Sequence, residues 1–430
     1  MQSKEDESLI NPSRARLLAE ANRCVSCGLC LPHCPTYRLT LSEADSPRGR
    51  IAMIHGVASR RIPMNERFAV HIDRCLACRA CEAVCPNHVA YGRLIDETRA
   101  MMAIPTSDSS RGKVVIKKNR FRSLLESIFI DKSSRFDLVR PLIYLFQKIG
   151  LQQGLLRSDL VRRTKLGLLL SKLPWIRFPL HAWQEVYPAI GVQRGEVALF
   201  LGCVARLVDV ETNLSAILVL NQLGYTVHVP NAQTCCGALY QHSGRIAEAT
   251  DLIQRNKNAF AGLNIKAIIS TASGCGAHLT EFCSQYQTEN FSVPIVDINK
   301  FLTELDWNEV KITALSERVA VHDPCSMRNV VRTSDCPYQL LAHIPGIELI
   351  ELAGNNLCCG AAGTYFLDQP EIAESLLNDK MVALDKTGAS YLVTSNVGCL
   401  LHFASGLRAQ GKKIEVLHPV TLLARQIGIQ

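Results

Sequence analysis

Four apolar runs mark the second half of the chain: EVALFLGC, AIISTASGC, RVAVHDPC and YLVTSNVGC each read as a β-strand that ends just before a cysteine. Between them, RIAEATDLIQRNKNAF and EIAESLLNDKMVAL carry apolar residues at helical spacing, and strands alternating with helices predict parallel α/β units. Upstream, FRSLLESIFI, LVRPLIYLFQKIGL and VRRTKLGLLLSKL place Leu, Ile and Phe at helical spacing with Arg and Lys between them. Nearer the N-terminus, TYRLTLSEADSPRGRIAMIHG reads as helical after Pro47. The pattern predicts an α+β protein in four segments. These are a mainly helical domain at 1–104, a basic helical linker at 105–195, and a duplicated α/β domain with parallel sheets at 196–310 and 311–430.

At 430 residues the chain exceeds a single ordinary core, and with 47% hydrophobic and 20% charged residues it is globular in composition. No stretch approaches eighteen consecutive apolar residues, so membrane contact is expected to be peripheral. The opening MQSKEDESLI lacks the basic and apolar regions of a secretory signal, which predicts a cytoplasmic location, including the cytoplasmic face of the inner membrane. Eighteen cysteines in such a chain point to metal or redox chemistry, because the cytosol keeps thiols reduced. Charge adds an asymmetry. From Arg111 to Leu180 there are 16 Lys plus Arg against 4 Asp plus Glu, while the whole chain carries only +8. Basic amphipathic helices suit an anionic membrane surface or an acidic partner, or they pack with a solvated basic face; both readings stand. Nucleic acid is not expected, since no recognised binding module is present.

The most specific signal is CVSCGLCLPHCP, a C-x2-C-x2-C-x3-C-P run of Cys24, Cys27, Cys30 and Cys34, repeated in CLACRACEAVCP by Cys75, Cys78, Cys81 and Cys85. A tight loop lets three thiolates converge on one cubane, and in two-cluster ferredoxins the fourth cysteine serves the other cluster. This assigns one 4Fe-4S cluster to Cys24, Cys27, Cys30 and Cys85, and a second to Cys75, Cys78, Cys81 and Cys34. The 1–104 segment is thus expected to be a dicluster ferredoxin-type domain. Zinc is the competing reading, but a zinc ribbon has no use for two identical four-cysteine runs each ending in Pro. Arg48 and Arg50, between the runs, are expected to cap or pair on a surface, with an effect on a cluster's potential as the alternative.

The ten remaining cysteines reveal an internal repeat. Cys203, Cys235-Cys236-Gly237 and Cys275 recur as Cys325, Cys358-Cys359-Gly360 and Cys399, at offsets of 122, 123 and 124 residues. His278 and His402 each follow the last cysteine by three residues, which puts them on the same face of a helix starting there. Ligands gather at the carboxyl ends of parallel strands, so each copy is expected to form one pocket. Cys203, Cys235, Cys236, Cys275 and His278 are candidate metal ligands in the first, and Cys325, Cys358, Cys359, Cys399 and His402 in the second. A Cys/His set suits zinc or an additional iron-sulfur centre. Cys283 and Cys336 have no counterpart and read as buried small hydrophobes.

With its two cysteine runs, CPTY, SPRGRI, TASGCGAH, LCCGAAGTYFLDQPEIAESLLNDKM and SNVGCLLHFASG, the chain resembles the iron-sulfur subunit of bacterial glycolate oxidase over nearly its full length. The CCG repeat alone is shared with heterodisulfide reductase subunits, an anaerobic glycerol-3-phosphate dehydrogenase subunit and lactate-utilisation proteins. The resemblance implies that FAD-bearing flavoprotein subunits oxidise glycolate to glyoxylate and pass electrons to this chain, which relays them towards an acceptor such as quinone. No G-x-G-x-x-G follows a strand here, so the isolated chain is not expected to oxidise substrate and no catalytic residue is assigned. The alternatives are the corresponding subunit of a D-lactate or anaerobic glycerol-3-phosphate dehydrogenase, or a heterodisulfide-reductase-like subunit with a catalytic CCG site. Both copies end in C-x2-H where the reductase module ends in C-x2-C.

Overall fold

The computed structural model describes residues 14–103, 134–162, 164–177 and 180–428. The segment FRSLLESIFI lies outside the described residues. The chain divides into two compact units, and the fold is α+β. One unit takes in the described residues up to 103 with 237–250 and 356–358; the other holds 134–236, 251–355 and 359–428.

The first unit is helical. A helix over 14–21 is followed by Pro35–Thr40, a 3-10 turn at Glu43–Asp45, and helices Pro47–Ala58, Glu66–Asp73, Ala80–Ala83 and Tyr91–Ala103. Local chemistry fixes the starts. Pro35 and Pro47 occupy first-turn positions where no amide is needed, and Ser46 and Asn65 accept hydrogen bonds from the Gly49 and Phe68 amides. Leu17, Ile51, Ile54, Phe68, Ile72, Leu94 and Ile95 form the core that the two cysteine loops pack against.

The second unit contains two sheets. In the first, β1 (Val186–Tyr187), β2 (Gly195–Phe200), β3 (Tyr225–His228), β4 (Ile268–Ser270) and β5 (Ile295–Asp297) lie in the order β1-β3-β2-β4-β5. Only β1 is antiparallel. In the second, β6 (Arg318–His322), β7 (Glu348–Glu351), β8 (Tyr391–Thr394) and β9 (Glu415–Leu417) are all parallel in the order β7-β6-β8-β9. Leaving β1 aside, the strand order is the same in both, as the duplicated cysteine pattern requires. Val197–Phe200 and Val319–His322 are buried throughout, because helices cover both faces of a parallel sheet. One apolar core, including Val197, Leu220, Trp307, Val319, Leu340 and Leu423, runs through both repeats.

The repeat extends to side chains that carry no metal chemistry. Gln233 accepts from the Leu201 amide at 2.8 Å and donates to the Leu199 carbonyl at 3.2 Å. Asn355, 122 residues on, accepts from Asp323 N at 3.2 Å and donates to the Val321 carbonyl at 2.9 Å. Each amide clamps the end of the strand that leads to Cys203 or Cys325.

The helix Arg135–Lys148 of the linker segment faces the opposite way from an ordinary surface helix. Its buried residues are polar: Arg140 donates to the carbonyls of Arg206 at 3.0 Å and His181 at 2.9 Å, and Gln147 donates to Pro174 at 2.7 Å. Its leucines point outward, with Leu138, Leu142, Leu145 and the following Ile149 exposed by 74, 66, 54 and 60%. Leu160, Leu166, Leu169 and Trp175 are exposed as well. Among the described residues, no helix is long and apolar enough to cross a membrane.

Candidate functional site

The two cysteine loops of the helical unit are wound alike. In the first, Ser26 and Gly28 take positive φ values of 56° and 84°; in the second, Ala77 and Arg79, at the same places between the cysteines, take 51° and 59°. These left-handed turns fold each C-x2-C-x2-C segment back on itself.

Two cavities result. Cys24, Cys27, Cys30 and Cys85 line the larger, an open hollow of about 450 Å³ counting the solvent at its mouth. Cys34, Cys75, Cys78 and Cys81 line a second of about 290 Å³. The fourth cysteine of each run therefore lies with the first three of the other. Pro47, Cys81 and Tyr91 border both cavities, so the two share a wall. Burial raises the Cys30 thiol to about 11, outweighing the backbone donors near it, and the neighbouring Cys24 and Cys27 add to the rise. Cys81 is pushed well up by burial and then by the surrounding sulfurs. Four soft donors gathered at one hollow, with no carboxylate among the lining residues, fit an iron-sulfur cluster in each cavity.

Arg48 and Arg50 part company. Arg48 stays near the surface, donating to Glu43 Oε1 at 2.7 Å and Ser26 O at 3.1 Å. Arg50 departs from the expected surface position: it is 1% exposed and lines the second cavity. It donates to His71 O at 2.7 Å, Thr36 Oγ1 at 3.1 Å and Asp45 Oδ1 at 3.5 Å, while Thr36 Oγ1 lies 3.3 Å from Cys34 Sγ. Burial alone would lower the Arg50 pKa, yet Tyr91, Cys75, Cys34 and Asp45 hold it above its usual value.

In the first cysteine-rich repeat, Cys203 follows β2, Cys235 and Cys236 follow β3, and Cys275 lies in the first turn of helix Ser273–Tyr286 after β4. The strand order puts all four at the carboxyl edge beside the point where it reverses. Cys203 and Cys235 Sγ are 3.2 Å apart, Cys235 is also hydrogen-bonded to Cys236, and Cys236 to Cys275. Those thiol contacts lead the causes that raise Cys235 and Cys275 well above the ordinary cysteine range. His278 is buried with its ring 5.2 Å from Phe282.

The second repeat brings Cys359 and Cys399 together, with sulfurs 3.2 Å apart, and adds His322 at the end of β6. Cys325 is partly exposed and Cys358 is buried. Gly360 has φ +93°, and a Cβ there would stand 2.7 Å from the Ala373 carbonyl, so the CCG turn demands glycine. His402 is turned to other work. Its Nε2 donates to Ala373 O at 3.2 Å, Nδ1 lies 3.4 Å from Lys172 Nζ, and burial followed by the Lys172 charge lowers it to about 4. His322 was not singled out from the sequence. The available signal was the break in the repeat three residues before the strand-end cysteine, where the first copy has Phe200. Cys283 and Cys336 are buried, as expected.

Residues 20–89 match the 4Fe-4S dicluster domain family, and 197–280 and 319–404 each match the Cysteine-rich domain family. A probable glycolate oxidase iron-sulfur subunit from Bacillus subtilis (strain 168) is 34% identical over 444 residues, covering 99% of this chain and 98% of that one. The chain belongs to the glycolate oxidase iron-sulfur subunit family. The Escherichia coli (strain K12) glycolate oxidase iron-sulfur subunit is 29% identical across 95% of this chain and 96% of its own. Lactate utilization protein A of Geobacillus kaustophilus (strain HTA426) shares 28% identity over 53% of this chain and 98% of its length. The matched stretches hold both cysteine loops and both strand-end cysteine groups.

Proposed function

We propose that this chain is the electron-relay subunit of a glycolate dehydrogenase complex. In this reading it takes electrons from a flavoprotein subunit that oxidises glycolate to glyoxylate and delivers them towards quinone. The observation that carries it is the pair of cavities, each holding three thiols of one run and the fourth of the other, and separated by a common wall of Pro47, Cys81 and Tyr91. Cys24, Cys27, Cys30 and Cys85 would hold one 4Fe-4S cluster and Cys34, Cys75, Cys78 and Cys81 the other. Such clusters supply one-electron carriers. The chain's own residues set the path: the shared wall keeps the two sites adjacent, and Arg50 places positive charge beside the second.

The remaining segments divide the other tasks. Segment 1–104 relays electrons, 105–195 attaches the complex peripherally at the cytoplasmic face of the membrane, and 196–310 and 311–430 hold metal at their cysteine groups. The exposed leucines beside basic residues on Arg135–Lys148 support attachment, since a face of that kind suits a lipid boundary. Because flavin chemistry belongs to the partner, the isolated chain should not turn over glycolate. The test is reduction of the chain's clusters, followed by EPR, on adding glycolate, D-lactate or glycerol 3-phosphate with and without the co-purified flavoprotein. Reduction by glycolate only when the flavoprotein is present supports the reading. Preference for D-lactate moves it towards the lactate-utilisation relatives, and reduction without any partner overturns it.

A further inference from the structure

Three buried side chains from separate parts of the second repeat meet at the carboxyl edge of its sheet. His322 closes β6, Cys359 sits in the CCG turn after β7, and Cys399 lies in the first turn of helix Val397–Ala409 after β8. One ligand atom from each lies within 4.8 Å of the other two. The imidazole is fixed at its far side, where Nδ1 is 2.9 Å from Thr394 Oγ1 and the ring stands edge-on to Phe403 at 4.9 Å. Nε2 is buried and has no hydrogen-bond partner among the described residues. A buried ring nitrogen left unsatisfied is costly, so its retention calls for a ligand.

We propose that His322 Nε2 and the Cys359 and Cys399 thiolates bind a single zinc-class metal ion, with one coordination position left for an external ligand. The proposal rests on the reading that the cysteine-rich repeats hold metal, and narrows it to one ion in one repeat with a strand-end histidine as ligand. The donor set suits a borderline-soft ion, and none of the three is the carboxylate that magnesium or calcium demands. Charge agrees: a divalent ion with two thiolates is neutral overall, the form least costly to bury. Thr394 plays the part of the outer partner that fixes a metal-bound imidazole. The first repeat has Phe200 in place of this histidine, so its four cysteines must make a different centre or none. His402 is not a competitor, since both of its ring nitrogens are already engaged.

The experiment uses the full chain with its iron-sulfur clusters loaded. Zinc is measured by elemental analysis, and cobalt(II) is exchanged into the site for its ligand-field and thiolate-to-metal bands. About one zinc per chain is expected, lost in Cys359→Ser and Cys399→Ser. His322→Phe, which copies the first repeat, should weaken binding at least tenfold and alter the cobalt spectrum, and Thr394→Val should weaken it ~10–100-fold. Unchanged far-ultraviolet circular dichroism and a single unfolding transition in each variant show that the repeat still folds. If both cysteine variants keep zinc at wild-type affinity, the metal reading of this repeat fails. If they lose it while His322→Phe keeps it with an unaltered spectrum, only the histidine ligand is overturned. Iron with acid-labile sulfide at this site, in place of zinc, overturns the single-ion assignment.

Discussion

The guanidinium of Arg50 and the carboxylate of Asp45 form an ion pair in which both side chains are shut off from solvent, with Nη2 3.5 Å from Oδ1. Asp45 is further held by Arg74 Nη1 at 2.9 Å and His71 Nδ1 at 2.9 Å. Two arginines thus surround one carboxylate beside the second cavity, leaving net positive charge there. Arg50→Gln is therefore expected to lower the potential of the cluster at Cys34, Cys75, Cys78 and Cys81, and to leave the other nearly unchanged. A tenfold change in the reduced-to-oxidised ratio corresponds to ~59 mV for a one-electron couple, a shift that an EPR-monitored redox titration resolves. Equal shifts at both clusters would mean a general loss of packing, and no shift would return Arg50 to a structural role.

The crossed ligand sets predict crossed losses. Cys34→Ser should abolish the signal of the cluster built on the second run, and Cys85→Ser that of the cluster built on the first. Each should cut iron from about eight to about four per chain. If Cys34→Ser instead removes the cluster that Cys24→Ser removes, each run serves its own cluster.

Asp297 predicts a pH dependence. Burial raises its carboxyl to about 6, against the hydrogen bonds that Oδ1 accepts from Asn299, and Oδ2 is buried without a hydrogen-bond partner among the described residues. An acid whose folded pKa is raised binds its proton more tightly when folded. The stability it contributes is therefore full below the unfolded value of ~3.9 and falls as pH rises to about 6. Asp297→Asn keeps the helix cap and removes the buried charge. It should stabilise the protein by on the order of 2–3 kcal/mol at pH 8 and by little at pH 4, read from denaturant titrations at the two pH values.

The outward leucines of Arg135–Lys148 predict how the protein meets a membrane. Electrostatic attachment alone would vanish in 1 M salt, where the screening length falls to ~3 Å from ~10 Å at 0.1 M. With the apolar stripe engaged, binding to vesicles containing anionic phospholipid should fall with salt yet persist. Leu142→Glu with Leu145→Glu should remove most of the remainder, since each leucine buried contributes ~1.5–3 kcal/mol. Complete release of the wild type at 1 M salt in a flotation assay would leave charge as the sole attraction.

What the sequence made legible follows from what its signals encode. Cysteine spacing records which thiols a loop can gather, so both runs and both repeats could be read, and the strand-end positions followed from the α/β pattern. Periodicity, by contrast, separates two faces of a helix without saying which one meets the protein, so the reversal of Arg135–Lys148 was hidden. The burial of Arg50 depends on His71 and Arg74, brought in from a different helix and its end, and the engagement of His402 depends on Lys172, 230 residues away. Local pattern carries no record of such partners. His322 was legible in principle, though only by comparing the copies where they differ.

The left-handed turns of the two cysteine loops bear on how the protein matures. Ser26, Ala77 and Arg79 hold a conformation that costs residues with a side chain roughly 1–2 kcal/mol each. Together that is on the order of 3–6 kcal/mol, a large share of the ~5–15 kcal/mol by which a typical domain is stable. The winding that readies eight sulfurs for iron thus works against the empty polypeptide. Ligation offsets it, so the N-terminal unit should gain rigidity as iron is taken up, metal affinity and folding being two faces of one equilibrium.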